Sequence, residues 1–498
     1  MNTAVPLNVS QHDTFRAGFI DGKFVDGEGA ELVVDSPSDE SVVATLKGLS
    51  IAQVQAAIRS ARAAFDRGPW SGMSAQDRAA ALRRFVAALA ARADRASDLV
   101  VLESGCPRVS GTMKAMVDMP LRHAREVIDL FLTLPQYEEN PLPLTERVNM
   151  LGQTIQSLRH HVPLGVVTGI AANNAPFYTA LWKVMPALLT GNTMILRPNP
   201  LTPLSATLFG EAAIEAELPP GVLNVVIEAG LEGAHLLTTD PSIDMVAFTG
   251  SSSVGAQVMA QAAPTMKRIQ LELGGKSAQI FLPDAADRAV MQAMIVCTAH
   301  AGQGCALGTR LFVPQEKKAE ILAKAAELLG KLRIGPADDP QTQTGPVISA
   351  AQRARCEHYV KTAVEHGAKV VVGGKRPATP ARGYYFEPTL LDVPDNRNPA
   401  AQDEIFGPVV CVIGYRDLDH AVEMANDSRY GLSGYVHGVD KVQSLKVGMR
   451  IRSGTVNING ALASAYASTG GHRMSGMGRE RGIEGLRIYQ QITCLNIG

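Results

Sequence analysis

"HHVPLGVVTGIAA", residues 160–172, is where the chain changes its rhythm. Up to about residue 140 the sequence reads as largely helical. "IAQVQAAIRSARAAFDRG" (51–68) repeats Ile51, Val54, Ile58, Ala61 and Phe65 at helical spacing. Ser74 followed by Asp77 makes a capping-box pattern ahead of one longer helix, "RAAALRRFVAALAARADRASDLVVLE" (78–103). From residue 160 onward, short β-branched runs alternate with helical stretches. "GVVTGI" (165–170), "TMILR" (193–197), "VLNVVI" (222–227), "MVAFT" (245–249) and "IQLEL" (269–273) are candidate strands. Helical patterns between them are the signature of βαβ crossovers and a parallel sheet.

A second set follows in "KVVVGG" (369–374), "PVVCVIG" (408–414) and "GTVNIN" (454–459), with helices such as "QEKKAEILAKAAELLGKL" (315–332) and "DLDHAVEMAND" (417–427) interleaved. The fold class is therefore α/β, with two domains of Rossmann type joined near residues 272–280. "ERVNMLGQTIQSLRHHV" (146–162) alternates apolar and polar residues outside both sheets and reads as an excursion that pairs with something else.

The bulk numbers agree with that division. A chain of 498 residues exceeds one hydrophobic core, and 46% apolar with 19% charged residues at a mean hydropathy near zero describes an ordered globular protein. With 47 basic against 48 acidic residues there is no net field to draw nucleic acid or an anionic membrane. No run is long and apolar enough to span a bilayer, and "MNTAVPLNVSQHDTF" lacks the charged start and apolar stretch of a secretory signal, so a soluble, cytoplasmic protein is expected. The six cysteines, at 106, 297, 305, 356, 411 and 494, form no CxxC pair, and neither a disulfide framework nor a metal site is expected.

Three stretches carry chemistry. "FTGSSSVG" (248–255) ends a strand and starts a helix, where N–H groups and the helix dipole favour phosphate. It fits neither the Walker A loop nor Gly-x-Gly-x-x-Gly, and alone it is an ordinary turn. "LELGGKS" (271–277) puts Glu272 in an apolar strand before a Gly-Gly break. It is either an outward-facing side chain or a general base at a strand's end, where open α/β sheets collect ligands. "AHAGQGCALGTR" (299–310) sets Cys305 among glycines and alanines that supply little bulk to pack. A free cysteine usually fills a core, as Cys297 in the preceding helical run does, whereas small neighbours around Cys305 admit a substrate.

Together "FTGSSSVG", "LELGGKS", "GQGC" roughly thirty residues later, "EIFGPV" (404–409) and "SGMGRERGIEGL" (475–486) resemble the aldehyde dehydrogenase superfamily, in its order and over nearly the whole chain. The resemblance implies that Cys305 is the nucleophile and Glu272 the base that activates water. Asn174 would form the oxyanion hole with the Cys305 amide, and Glu480 would be a second acid in a proton relay behind the base. Ile170, Arg197, Gly250, Ser251, Gly255, Glu404 and Phe406 match cofactor-binding positions, implying NAD with NADP possible. The domains implied are a cofactor-binding one (1–145 and 163–274), a catalytic one (275–480) and an oligomerisation hairpin and tail (146–162 and 485–498), hence a homodimer or homotetramer. An aldehyde is the small-molecule partner. A CoA-acylating branch, or a non-catalytic protein on the same fold, is the alternative; Glu272 argues against the first, and intact Cys305, Glu272 and Asn174 against the second.

The chain departs from the family pattern in places. Ala172 and Asn173 replace Pro-Trp, Arg197 replaces a Lys at the adenosine ribose, and Pro200 stands where a Glu often repels a 2′-phosphate. Arg197 could thus supply a phosphate site. Ala175, Gly304 and Ala306 are small where the pocket is formed, while Trp182, Leu462 and Tyr466 offer walls, which favours a large apolar aldehyde, aromatic or terpenoid. His300 replaces a common Asn and receives no catalytic role.

Overall fold

The computed structural model describes residues 15–460 and 464–498. Val166–Ile170, Thr193–Arg197, Leu223–Val226, Met245–Thr249 and Arg268–Glu272 form five parallel strands of one sheet, each within about a residue of its expected bounds. Three of the five are buried throughout and Met245–Thr249 at all but its last residue, which is why they read as β-branched runs without alternation. Met245–Thr249 lies beside Val166–Ile170, and Thr193–Arg197 lies on the other flank. The strand order therefore reverses between residues 170 and 249, and a crevice opens beyond their carboxyl ends.

The second sheet holds six parallel strands, in spatial order Thr389–Asp392, Val409–Tyr415, Arg310–Pro314, Ala278–Phe281, Ser433–His437 and Thr455–Ile458, edged by antiparallel Lys369–Val372. The last parallel strand of the first sheet ends at Glu272 and the second sheet begins at Ala278. A link this short makes the carboxyl edge of one sheet face the amino edge of the other. The chain returns once: Gly476–Met477 pairs antiparallel with Leu271 and Glu272, adding a late segment to the first sheet.

Several expectations about the first 160 residues need correction. Residues 15–50 are not helical. Gly18–Ile20 and Lys23–Val25 extend the first sheet antiparallel, and Glu31–Asp35 pairs with Val42–Lys47. The long helix at 78–103 is two, Ala75–Ala90 and Ala93–Ser104. Arg92 sits at the break, its guanidinium tied to Glu211 and Glu215, so the bend is fixed by a partner distant in sequence. Ser74 caps Asp77 N–H, but its hydroxyl meets the Asp77 carboxylate, so the reciprocal half of the box is missing. The complete box is Ser50 with Gln53. The excursion at 146–162 finds its partner in the tail: Gln156–Pro163 pairs along its length with Gln490–Ile497, and Tyr137–Glu139 completes a three-stranded sheet.

No helix among the described residues is long and apolar enough to cross a membrane.

Candidate active site

Glu272 is the last residue of its strand and stands in register with Thr249, beside the reversal of strand order. It does not face solvent. It is 9% exposed, and its Oε1 is buried without a hydrogen-bond partner. Burial and the neighbouring Glu480 carboxylate push its carboxyl well above the usual range, against the pull of Lys183 and Arg479.

Cys305 follows the Arg288–Thr298 helix and a tight turn in which His300 and Ala301 both take positive φ (48° and 50°). Five residues later the chain enters Arg310–Pro314, next to Ala278–Phe281. That brings the thiol to the link between the sheets. A Cβ on Gly275 would stand 2.7 Å from the Cys305 carbonyl oxygen, so this glycine permits the approach. The residue is half-buried, but protein encloses its sulfur. Burial, then the Glu404, Glu272 and Glu480 carboxylates, push the thiol up to about 12. Glu404 is the first of the three carboxylates in its effect on the thiol.

Asn174 precedes the Pro176–Leu189 helix at the carboxyl end of Val166–Ile170. Its Nδ2 donates to the Gln303 carbonyl at 2.9 Å, two residues before the thiol. A primary amide has two N–H groups, so one anchors Asn174 and one stays free. Gln303 is itself fixed, accepting from Ile348 N–H and donating to the His300 carbonyl.

Glu404 accepts from Gly275 N–H at 3.0 Å, and burial raises its carboxyl. It shares a small pocket with Gly304 and Phe406, whose φ is 64°. Ser251 caps the Ser252–Ala262 helix, and Gly255 lets that helix press on Leu273, where a Cβ would meet Cδ2 at 2.6 Å. Ser251 and Ser253 stay exposed at the helix start, which suits a diphosphate. Gly250 N–H donates to the Glu272 carbonyl, tying this turn to the end of the Arg268–Glu272 strand. Ile170 is buried in register with Arg197. Arg197 is 4% exposed and committed inward: Nε donates to Glu228 at 2.6 Å and Nη2 to the Gly230 carbonyl at 3.0 Å. It is not free to receive a 2′-phosphate.

Of the pocket residues, Ala175 and Trp182 are buried, Gly304 and Ala306 flank the thiol half-buried, and Tyr466 is largely exposed. Leu462 lies outside the described residues. Sequence reasoning missed Lys183, which is wholly buried and donates to Glu480 at 3.1 Å. The signal was present: one ammonium in the otherwise apolar "ALWKVMPALL" requires a counter-ion. It also missed Arg481 and His123.

A thiol, a carboxylate at a strand's end, an amide donor and a helix N-terminus thus meet between two α/β sheets. The model of the aldehyde dehydrogenase family matches residues 24–495. The chain belongs to that family. It is 32% identical to the betaine aldehyde dehydrogenase of Bacillus subtilis, over 95% of this chain and 96% of that one. Aldehyde dehydrogenase C from Pseudomonas syringae, a mutant solved with NAD+ and octanal, is 35% identical with a TM-score of 0.90, covering 96% of each chain. An aldehyde dehydrogenase of Mycobacterium tuberculosis complexed with NAD+ is 37% identical with a TM-score of 0.88, over 96% of this chain and 97% of that one.

Proposed function

We propose that this aldehyde dehydrogenase uses NAD and water to turn an aldehyde with a large apolar body into its carboxylic acid, through a thiohemiacetal and then a thioester on Cys305. The observation that carries the reading is the meeting of Cys305, Asn174 and Glu272 across the link between the sheets.

An aldehyde carbon must become tetrahedral before it can release hydride. The Cys305 thiol gives its proton to solvent and the thiolate attacks the carbon, while the charge that grows on oxygen is received by the free Asn174 N–H and the Cys305 amide. One such donor lowers the barrier by roughly 3 to 4 kcal/mol. NAD would supply a hydride acceptor when bound, and Ile170, Gly250, Ser251, Gly255, Glu404 and Phe406 are the residues that would hold it. Glu272 then takes a proton from the water that attacks the thioester, and the sulfur leaves. Its unpartnered Oε1 suits it to bind that water. The Lys183–Glu480 pair behind it is a route for the proton. Glu272 also favours water over CoA as the acyl acceptor.

Small Ala175, Gly304 and Ala306 against the Trp182 wall support a sizeable apolar substrate, as does octanal in the P. syringae relative. In this reading residues 1–145 and 163–274 bind the cofactor and 275–480 carry catalysis. Residues 146–162 and 485–498 join copies into a dimer or tetramer, the tail strand offering exposed Ile492, Leu495 and Ile497. The test is NADH formation from a panel of aldehydes with NAD, NADP and CoA. NAD with water suffices in the account, and Cys305→Ala abolishes turnover; full activity in that variant rules out the thiol mechanism.

A further inference from the structure

Beside Trp182, the wall proposed for the substrate, lies a cation with no counter-ion among the described residues. Arg481 follows Glu480, and Gly482 N–H donates to the Ala465 carbonyl at 2.8 Å, so the backbone next to Arg481 is tied to the loop that carries Tyr466. It lies over the rings of Tyr178 and Trp182, at 5.6 and 5.1 Å from their centres. Those two residues are one turn apart on the helix that starts just after Asn174.

Among the described residues the guanidinium makes no hydrogen bond to protein and no ion pair, and its Nε is buried without a partner. Two neighbours each carry a ring nitrogen without a partner among the described residues. Trp182 is 4% exposed and its Nε1–H meets no acceptor. His123, packed edge-on to Trp182 at 5.6 Å, is 1% exposed with a free Nδ1. Burial, Arg481 and Arg122 hold its ring down to about 4, so it is neutral. The cluster therefore offers donors and a positive charge, with no carboxylate to match them. Arg481 is half-buried with only Nε enclosed, so its Nη groups are open to an incoming anion, and the partial desolvation of an unmatched charge carries a cost that such a ligand would offset. The backbone adds a second cost, because Arg481 has φ 59° and ψ 171°, a region that in practice only glycine adopts. A side chain kept under both costs has a use.

We propose that Arg481 is a specificity-determining residue that receives a carboxylate at the far end of the substrate, which is thus an aldehyde acid with an apolar body. This rests on, and narrows, the aldehyde oxidation proposed above. The aldehyde end reaches Cys305 while the acid end stops between Trp182 and the Tyr466 loop. A planar guanidinium held on two aromatic faces is already oriented for paired hydrogen bonds to a carboxylate.

The test compares kcat/KM for matched pairs, 4-carboxybenzaldehyde with 4-methylbenzaldehyde and adipic semialdehyde with hexanal, in the wild type, Arg481→Gly and Arg481→Lys. Glycine suits the backbone angles, so that variant folds without strain. The wild type is expected to favour the charged member about 10- to 100-fold, the range of a charge-assisted pair. Arg481→Gly removes the preference, chiefly by raising KM for the charged member, and Arg481→Lys keeps part of it. A wild type without preference, or a preference that survives Arg481→Gly, overturns the proposal. Binding gives an independent readout, because Trp182 is one of only two tryptophans. Terephthalate should quench its fluorescence in the wild type and not in Arg481→Gly; equal quenching in both also overturns the proposal. Were aldehyde oxidation itself the wrong reading, no pair would yield NADH while this difference in quenching would remain.

Discussion

Lys183→Met removes the cation behind the proposed base and tests the internal electrostatics of the site. Lys183 is fully buried on the Pro176–Leu189 helix, and its Nζ stands 3.1 Å from Glu480 Oε1, whose side chain is 12% exposed. Without the ammonium, the Glu480 carboxylate is left enclosed beside Glu272. Breaking a buried pair from one side typically costs about 3 to 5 kcal/mol. At ~2.1 cal/mol/K per residue the unfolding entropy of a chain this long is about 1 kcal/mol/K, so the melting temperature falls by about 3 to 5 °C. The double variant Lys183→Met/Glu480→Leu, which replaces the pair with apolar groups, recovers most of that loss. The same series moves the base. Glu480 raises the Glu272 carboxyl and Lys183 lowers it, so steady turnover in Lys183→Met needs a higher pH, and in the double variant the profile moves back. Scanning calorimetry and pH–rate profiles of the three proteins give both readouts. A single variant that melts with the wild type, or a double variant no more stable than the single, refutes the buried-pair reasoning.

Two further outcomes follow from the site. Glu272→Gln should keep a first-turnover burst of NADH while steady turnover falls by roughly 10²- to 10⁴-fold, the usual share of a general base; unchanged steady turnover removes Glu272 from that role. With its pKa raised to about 12, the Cys305 thiol is mostly protonated below that value, and its thiolate fraction grows as pH rises. Alkylation by iodoacetamide in cofactor-free protein should therefore accelerate about tenfold per unit across roughly pH 7 to 10; a plateau within that range contradicts the enclosed, acid-ringed thiol.

What the sequence disclosed depended on how local each cause was. The central strands stood out because burial on both faces selects mainly apolar residues, as in "MVAFT". Gly18–Ile20 and Lys23–Val25 escaped because three residues are too few to show a period. The break at Arg92 carries no glycine or proline; it is set by acids on another helix. Cys305, Glu272 and Asn174 were singled out through motifs, yet alternation along the strand could not say which way Glu272 faced. Arg197 looked available for phosphate because its partner, Glu228, lies 31 residues away in a different strand-to-helix turn. Lys183 and Glu480 are 297 residues apart and meet only once both sheets are assembled.

The measurement that bears most directly on the account is peptide mass spectrometry of the Glu272→Gln protein, quenched after mixing with an aldehyde substrate and NAD. Slow deacylation should leave the acyl group on the peptide that contains Cys305, with one substrate acyl mass per chain. Continued acid production with that peptide unmodified, or with the acyl group on another residue, would contradict the account.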